Sequence, residues 1–388
     1  MATTPAPQAP GAGAPPDTLL RRRDRIEGID AARGLALVGM MATHVLPVHS
    51  ATGETLTGAI AAGRASALFA LLLGVGIALW TGAEHGLPGG RAHLAAGVGL
   101  LVRAALVGLL GLVLVELGPP VAVILAYYAV LIVVAIPLLR LPAWALGSLA
   151  VLACGATPVL SALLRAGGPA GPGAQVGLMS WADPGRALGT LLVTGYYPVL
   201  TWVTYLFAGL AVGRLDLRRT RTAWWLLGGG AGLAVVAWGT SALLLATGGA
   251  DAIAAASGPG ALATQRYGTV PASTWWWLAA ELPHSGTPVD LAHTTGCALA
   301  VLGALLLLAR RFPLVVAPVA AIGAIPLTLY TLHVVSLAVL GGTGPVTLLW
   351  HVGWCLSLGL VFRALGRRGP AEAVVSAASA AARRAIIT

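Results

Sequence analysis

Long apolar runs, broken by short polar or turn-forming segments, follow one another along most of the chain. An α-helix needs ~20 mainly apolar residues to cross the hydrocarbon core of a bilayer, and each run approaches that length. Pro, Gly or Arg residues separate neighbouring runs. The pattern therefore predicts an all-α, polytopic integral membrane protein. We predict about ten transmembrane helices by this length criterion, at residues 28–48, 64–83, 94–116, 119–139, 142–164, 188–212, 223–247, 289–309, 313–340 and 346–366.

Composition excludes a soluble globular protein. Of the 388 residues, 57% are hydrophobic and only 9% are charged, and the mean hydropathy is +0.87. A soluble domain carries about 25% charged residues. The three cysteines have no metal-ligand spacing and read as small buried apolar residues.

All 23 basic residues are arginines, and most lie in four clusters. One cluster precedes the first predicted span, and the others follow the sixth, eighth and tenth spans. If the chain has ten spans, all four clusters lie on the same side of the membrane. Positive residues flank the cytoplasmic ends of spans, which predicts that both termini are cytoplasmic. We interpret the net charge of +10 as a topology signal and as contact with membrane lipids, in preference to nucleic-acid binding.

Three segments are predicted. Residues 1–24 form a Pro, Ala and Gly-rich, disordered cytoplasmic tail. Residues 25–368 form the ten-helix membrane domain. Residues 369–388 form a cytoplasmic C-terminal tail, which is Ala-rich and a candidate for a short helix on the membrane surface.

Six histidines fall on the outer side of the predicted topology. They are His44, His49, His284, His293, His333 and His351, and Asp290 lies among them. Ionisable groups within spans are costly and are functional candidates, and histidine suits proton transfer near neutral pH. The alternative is that each histidine only bonds a neighbouring helix. No pair has the i, i+4 spacing typical of metal ligands on one helix, so we predict no metal site.

The first span carries polar groups at both ends. Asp30 and Arg33 are three residues apart and able to pair on one helix face near the inner surface. His44 lies ~21 Å beyond Asp30 at 1.5 Å per residue. This layout suits a protein that acts on two molecules, one from each side of the membrane. The alternative is an ion pair that fixes the helix position, with a polar residue at the outer end.

Two segments at the start of the chain resemble a known family. "RIEGIDAARGLALVGMMATHVLP" and "AAGRASALFALLLGVGIAL" are similar to the first two spans of the heparan-alpha-glucosaminide N-acetyltransferase family and its bacterial relatives. "YYPVLTWVTYLFAGLAVGRLDL", "IGAIPLTLYTLHVV" and "FRALGRRGPAE" resemble the bacterial membrane proteins of domain-of-unknown-function class 418. The second resemblance covers the C-terminal half.

The first resemblance implies transfer of an acetyl group from cytosolic acetyl-CoA, as co-substrate, to an amino sugar or cell-envelope glycan across a bacterial plasma membrane. In that family an asparagine closes the first span and a histidine in the next loop is catalytic. His44 occupies the asparagine position here, and His49 is the nearest candidate for the loop histidine. We predict His49 and His44 as catalytic residues. The predicted acetyl-CoA site comprises Asp30, Arg33 and Arg103, and the predicted acceptor site comprises His284, Asp290, His293, Tyr330 and His333.

Two other functions stay open. A transporter or lipid flippase would use the same polar interior as a substrate path, with no requirement for CoA. A structural or partner-binding membrane protein would need neither CoA nor transport. The sequence leaves the acceptor and the oligomeric state open.

Overall fold

The computed structural model describes residues 25–50, 53–82, 90–166, 174–264 and 266–387. The predicted tail at residues 1–24 lies outside these ranges. Almost all regular structure in the described ranges is helical. The α-helices are α1 (Glu27–Val45), α2 (Leu56–Ala61), α3 (Arg64–Trp80), α4 (Arg91–Glu116), α5 (Leu125–Ala135), α6 (Ala143–Leu164), α7 (Pro184–Gly189), α8 (Val199–Gly213), α9 (Thr220–Leu244), α10 (Ala250–Ser257), α11 (Pro288–Arg311), α12 (Pro313–Gly323), α13 (Pro326–Leu340), α14 (Pro345–Ala364) and α15 (Pro370–Ile387). Two short strands, β1 (His49–Ser50) and β2 (Gly53–Glu54), pair antiparallel.

Each predicted span coincides with a helix or with a bent pair of helices. Six helical segments of the described residues are long and apolar enough to cross a membrane, and eight are if each bent pair is one span. The all-α membrane class is confirmed. Ten crossings and cytoplasmic termini stay predictions, because α5 is short and α1 carries charged residues in its first half.

The two bent pairs break where the backbone loses helical hydrogen bonding. The segment ending at Thr194 meets α8 at 53°, and α12 meets α13 at 62°. Pro198 precedes α8 and Pro326 begins α13. Proline has no N–H to donate and fits the first position of a new helix, so the chain restarts in a new direction at each site. The second break sets the direction of α13, which carries Tyr330 and His333.

Helix α1 lies at the centre of the bundle and packs on α3, α11, α12 and α14. Glycines permit its closest approach, to α12. A Cβ atom at Gly34 would overlap the carbonyl oxygen of Val319, and one at Gly323 would overlap that of Asp30. Small residues that let membrane helices touch through their backbones are typical of tight packing. Helix α1 is therefore held firmly along its N-terminal half.

The C-terminal helix α15 packs along the first half of α4. The Ser379 hydroxyl donates to the Gly99 carbonyl at 2.7 Å, and Arg91 Nη2 donates to the Ile386 carbonyl at 3.1 Å. At its other end, the Glu372 carboxylate accepts from the backbone N–H groups of Leu327 and Thr328 at 2.6 and 3.1 Å. A carboxylate at a helix N-terminus satisfies unpaired N–H groups, so α15 anchors α13. Its place on a membrane surface stays a prediction.

Candidate functional site

A cavity of about 330 Å³ lies where α1 ends and α3 begins. Leu46 ends α1 in an extended conformation before Pro47, and Gly63 separates α2 from α3 with a φ of 71°. These breaks leave the ends of the helices around an open space. Its polar lining includes Thr43, His44, Ser66, Gln175, Tyr196, Tyr197, Tyr267 and His284.

His44 lines this cavity from the last turn of α1 and is bonded to a second histidine. Its Nδ1 lies 3.0 Å from Nε2 of His333 on α13, and the two rings stack with their planes 10° apart. His333 is fully buried. The bond occupies Nδ1 of His44 and leaves Nε2 for a substrate.

A third histidine continues this line of rings. The centroid of the His351 ring on α14 lies 4.7 Å from that of His333, with the rings nearly perpendicular. His351 Nδ1 lies 2.8 Å from the Thr347 carbonyl oxygen. A carbonyl only accepts, so Nδ1 carries the proton and Nε2 carries a lone pair. Within the described part of the chain, His351 Nε2 and His333 Nδ1 are both buried without a hydrogen-bond partner.

His284 lines the cavity from the loop before α11, in an uncommon conformation. Its φ of 62° is the one positive value of a non-glycine residue among those described. The Gly63 N–H donates to His284 Nε2 at 3.2 Å, and the Gly268 N–H donates to the His284 carbonyl at 2.7 Å. Left-handed backbone at a non-glycine residue costs ~1–3 kcal/mol and is typical of functional sites. These bonds hold the ring in place.

The same bonds define the protonation state of His284. Because Nε2 accepts from Gly63, the neutral ring carries its proton on Nδ1, which is buried without a partner among the described residues. Burial lowers the pKa of His284 to about 4. The ring is therefore a neutral N–H donor at physiological pH.

A group of buried charges lies beside the cavity wall. Glu281 Oε1 lies 3.6 Å from Arg64 Nη2 and 3.8 Å from His293 Nε2. Burial raises the pKa of Glu281, and His293 and Arg64 oppose that shift. Asp290 Oδ2 accepts from the Gly286 N–H at 2.9 Å. Gly286 follows His284 after one residue, so this group fixes the loop that carries His284.

The predicted inner pair forms as expected from its spacing. Arg33 Nη1 lies 3.2 Å from Asp30 Oδ1, and Arg25 Nε lies 2.9 Å from Asp30 Oδ2. Arg103 lies on α4. These charged residues are separate from the cavity, which lies at the C-terminal end of α1.

Comparison with protein families decides the class of this protein. A model of the catalytic region of heparan-alpha-glucosaminide N-acetyltransferase matches residues 25–245, more than half of the chain. The chain belongs to this family. Comparison with curated proteins gives no match. Membership of the family and the apolar helices identify a multi-pass membrane acetyltransferase. The resemblance of the C-terminal half to class 418 stays a prediction.

The structure separates the predicted acetyltransferase residues into three groups. His44 and His284 line the cavity, and His333 is bonded to Nδ1 of His44. Tyr330 lies one turn before His333 and its hydroxyl accepts from the Ile124 N–H at 3.3 Å. Asp290 and His293 belong to the buried charges around Glu281. Asp30 and Arg33 lie in the N-terminal half of α1, and Arg103 lies on α4.

His49 lies apart from these groups. It is exposed on β1, opposite Glu54 in the two-stranded hairpin, and is not part of the cavity lining. Its catalytic role stays a prediction, and its position favours His44 as the residue nearer to a bound substrate.

Sequence reasoning missed several residues of the site. His351 was grouped with the outer histidines but not assigned a role, and Gln175, Tyr196, Tyr197 and Tyr267 were not singled out. The adjacent tyrosines before Pro198 marked a helix break, which is a weak signal for a cavity. Among the described residues, no group of three His, Cys, Asp or Glu side chains is placed to hold a metal ion.

Proposed function

We propose that this protein transfers the acetyl group of acetyl-CoA to an amine or hydroxyl of an extracytoplasmic acceptor, such as an amino sugar or an envelope glycan, at a bacterial plasma membrane. The observation that carries the proposal is that His44 and His284 line one cavity, where His44 is bonded to His333 and His284 accepts from the Gly63 N–H. We assign His44 as the base and His284 as the N–H donor. Acyl transfer needs both.

We propose His44 as the base, with the rings of His333 and His351 behind it. Thr347 requires the proton of His351 on Nδ1, so His351 Nε2 is an acceptor. His333 Nδ1 and His351 Nε2 have no hydrogen-bond partner among the described residues. We assign the proton of His333 to Nδ1, so that His333 Nε2 accepts from Nδ1 of His44. Nε2 of His44 then carries a lone pair. His44 is half-buried, and a ring oriented by a second group is a typical general base.

The donor is His284. Attack on the thioester carbonyl places negative charge on its oxygen, and a preorganised N–H in a site shielded from water stabilises that charge. A protonated His284 would lose its hydrogen bond from Gly63, because Nε2 could no longer accept. The neutral form fits the role.

The reaction balances with these two groups. The acceptor nitrogen or oxygen attacks the thioester carbon while His44 Nε2 takes its proton. The tetrahedral intermediate collapses, the carbon–sulfur bond breaks, and the proton returns from His44 to the departing CoA thiolate. The products are an acetylated acceptor and CoA-SH.

The length of α1 fits the length of the donor. His44 follows Arg33 by eleven residues, or ~16 Å along a helix. The pantetheine arm has about 12 bonds between diphosphate and sulfur and extends ~15 Å at ~1.3 Å per backbone bond. Phosphates near Arg33 and Arg103, with Asp30 orienting Arg33, would therefore bring the thioester to the level of His44.

The test separates binding from chemistry. Calorimetry would compare acetyl-CoA binding to purified wild type, Arg33→Ala and Arg103→Ala proteins. Single-turnover acetyl transfer to glucosamine would compare wild type with His44→Gln. We expect weaker binding in the arginine variants and normal binding with slow transfer in His44→Gln. Absence of acetyl-CoA binding in folded wild type would refute the proposal and favour a transporter.

A further inference from the structure

A second cavity lies at the opposite, arginine-rich end of the bundle. It has a volume of about 350 Å³ and is formed by the start of α1, the end of α11 and the loop between α8 and α9. Arg25, Arg218 and Arg310 line it from these three elements. Three guanidinium groups around one space raise the question of which ligand they bind.

The charges around this cavity do not cancel. Glu27 pairs with Arg363, Asp216 pairs with Arg219, and Asp30 pairs with Arg25 and Arg33. Arg218 and Arg310 also line the cavity. Among these described residues, six guanidinium groups stand against three carboxylates, an excess of three positive charges.

The arginines are held in place before any ligand arrives. Arg310 donates through Nη1 to the Thr220 hydroxyl at 2.7 Å and through Nη2 to the Leu217 carbonyl at 2.9 Å. Arg25 is held by Asp30 at 2.9 Å. Ordering these side chains on binding therefore costs little, which favours affinity. Guanidinium groups recognise phosphate oxygens with planar, paired N–H donors.

The distance along α1 excludes the CoA diphosphate as the ligand here. His44 follows Arg25 by nineteen residues, or ~28 Å along the helix, which exceeds the ~15 Å reach of a twelve-bond arm. A phosphate bound at this cavity belongs to a different group.

Apolar surface lies beside the cavity. Leu308 and Phe312, next to Arg310 in the chain, are exposed, as are Trp224 and Trp225 one turn after Thr220. Exposed tryptophans at this level are typical of the membrane interface. A ligand with a phosphate headgroup and apolar tails would contact both the arginines of the cavity and the exposed apolar side chains beside it.

We propose that Arg25, Arg218 and Arg310 form a phosphate site that binds the headgroup of an anionic phospholipid. The adenosine 3′-phosphate end of acetyl-CoA presents the same chemistry, and that source rests on the proposed function, as does the exclusion of the CoA diphosphate. The three arginines and the exposed apolar side chains, which favour a lipid, do not depend on it.

The experiment measures thermal melting of the full chain in nanodiscs. Wild type, the double variant Arg218→Gln/Arg310→Gln and the control Arg221→Gln are each placed in phosphatidylcholine, in phosphatidylcholine with phosphatidylglycerol, and in phosphatidylcholine with adenosine 3′,5′-bisphosphate. Arg221 is an exposed arginine of α9 outside the cavity lining. We expect phosphatidylglycerol to raise the melting temperature of wild type and Arg221→Gln by roughly 2–4 °C, and the double variant to lose most of this rise.

The other outcomes are also decisive. A rise with the bisphosphate alone, lost in the double variant, would keep the phosphate site and assign it to the nucleotide. No rise with either probe, or an equal rise in the double variant and Arg221→Gln, would overturn the proposal. If the double variant melts early, native mass spectrometry of phosphatidylglycerol retained by Arg218→Gln gives the same comparison. Acetyl transfer by His44→Gln tests the proposed function separately, because His44 lies at the other end of α1.

Discussion

Replacing His333 with phenylalanine tests the histidine line most directly. Phenylalanine keeps a ring in the fully buried space on α13 and removes the nitrogen that lies 3.0 Å from His44 Nδ1. His44 would remain in the cavity with an unpaired Nδ1. Leaving a buried polar group unsatisfied costs ~1–3 kcal/mol, and a part of this cost falls on the transition state, in which His44 is charged.

The expected loss follows from that energy. At ~1.4 kcal/mol for each tenfold change in rate, the full cost of ~1–3 kcal/mol corresponds to a loss in kcat of about 5-fold to 150-fold. These values are upper bounds, because only a part of the cost falls on the transition state. The assay is acetyl transfer from radiolabelled acetyl-CoA to glucosamine over pH 5.5–8.5, by protein in nanodiscs. The KM for acetyl-CoA should be unchanged, because the predicted donor-binding residues Arg33 and Arg103 lie outside the cavity lining.

His49→Phe is the matched variant. His49 is exposed outside the cavity lining, so we expect a normal rate, whereas the family resemblance predicts a large loss. A His333→Phe protein with wild-type kcat and an unchanged pH profile would refute the tautomer argument. A severe defect in His49→Phe alone would return the catalytic role to His49.

Three further predictions follow from the contacts of single residues. Burial lowers the pKa of His284 from 6.5 to about 4, so the unfolded chain binds more protons than the folded chain between these pH values. The free energy of unfolding therefore falls as the pH is lowered through that window. We expect the melting temperature of His284→Gln to fall less over the same pH range. Arg33→Gln should raise the KM for acetyl-CoA at least tenfold with a smaller effect on kcat, measured by initial rates, and an unchanged KM would contradict the donor site. Glu372→Gln weakens the charged cap of α13, which should reduce the free energy of unfolding by ~0.5–2 kcal/mol and lower the melting temperature in a thermal scan. An unchanged melting temperature would show that α13 does not depend on α15.

The helical part of the fold could be predicted from the sequence because apolar runs have a physical minimum length in a bilayer. The limits of that reasoning appear at α5, which is only 11 residues long before a turn of 3-10 helix, and at the bent pair α12 and α13. Hydropathy measures how apolar a segment is and does not report whether the helix within it is continuous. Pro326 marks the break, but a proline also occurs inside α12 without ending it.

The candidate site was predictable in its residue types and less so in its contacts. Polar side chains at the ends of apolar spans and in the loop before α11 identified His44, His284 and His333 as candidates. Which of them meet depends on the rotation of each helix about its axis, and the apolar runs are hydrophobic on nearly all sides, so periodicity gives little information about rotation. His49 follows α1 closely in sequence, yet Pro47 and the β1–β2 hairpin direct it to the surface.

The residues of the candidate site come from both halves of the chain. The family match ends at residue 245, whereas His284, His333 and His351 all lie beyond it. His44, within the matched region, stands at the position where the family resemblance places an asparagine. An asparagine amide is a poor base, so a histidine there gains its chemical value from a partner that orients it, and α13 supplies that partner in His333. We therefore expect relatives that carry histidine at the position of His44 to carry a hydrogen-bonding residue at the position of His333, and relatives that keep the asparagine to show no such requirement. This pairing would mean that a histidine base arose in the first span only together with a hydrogen-bonding residue at the position of His333 on α13.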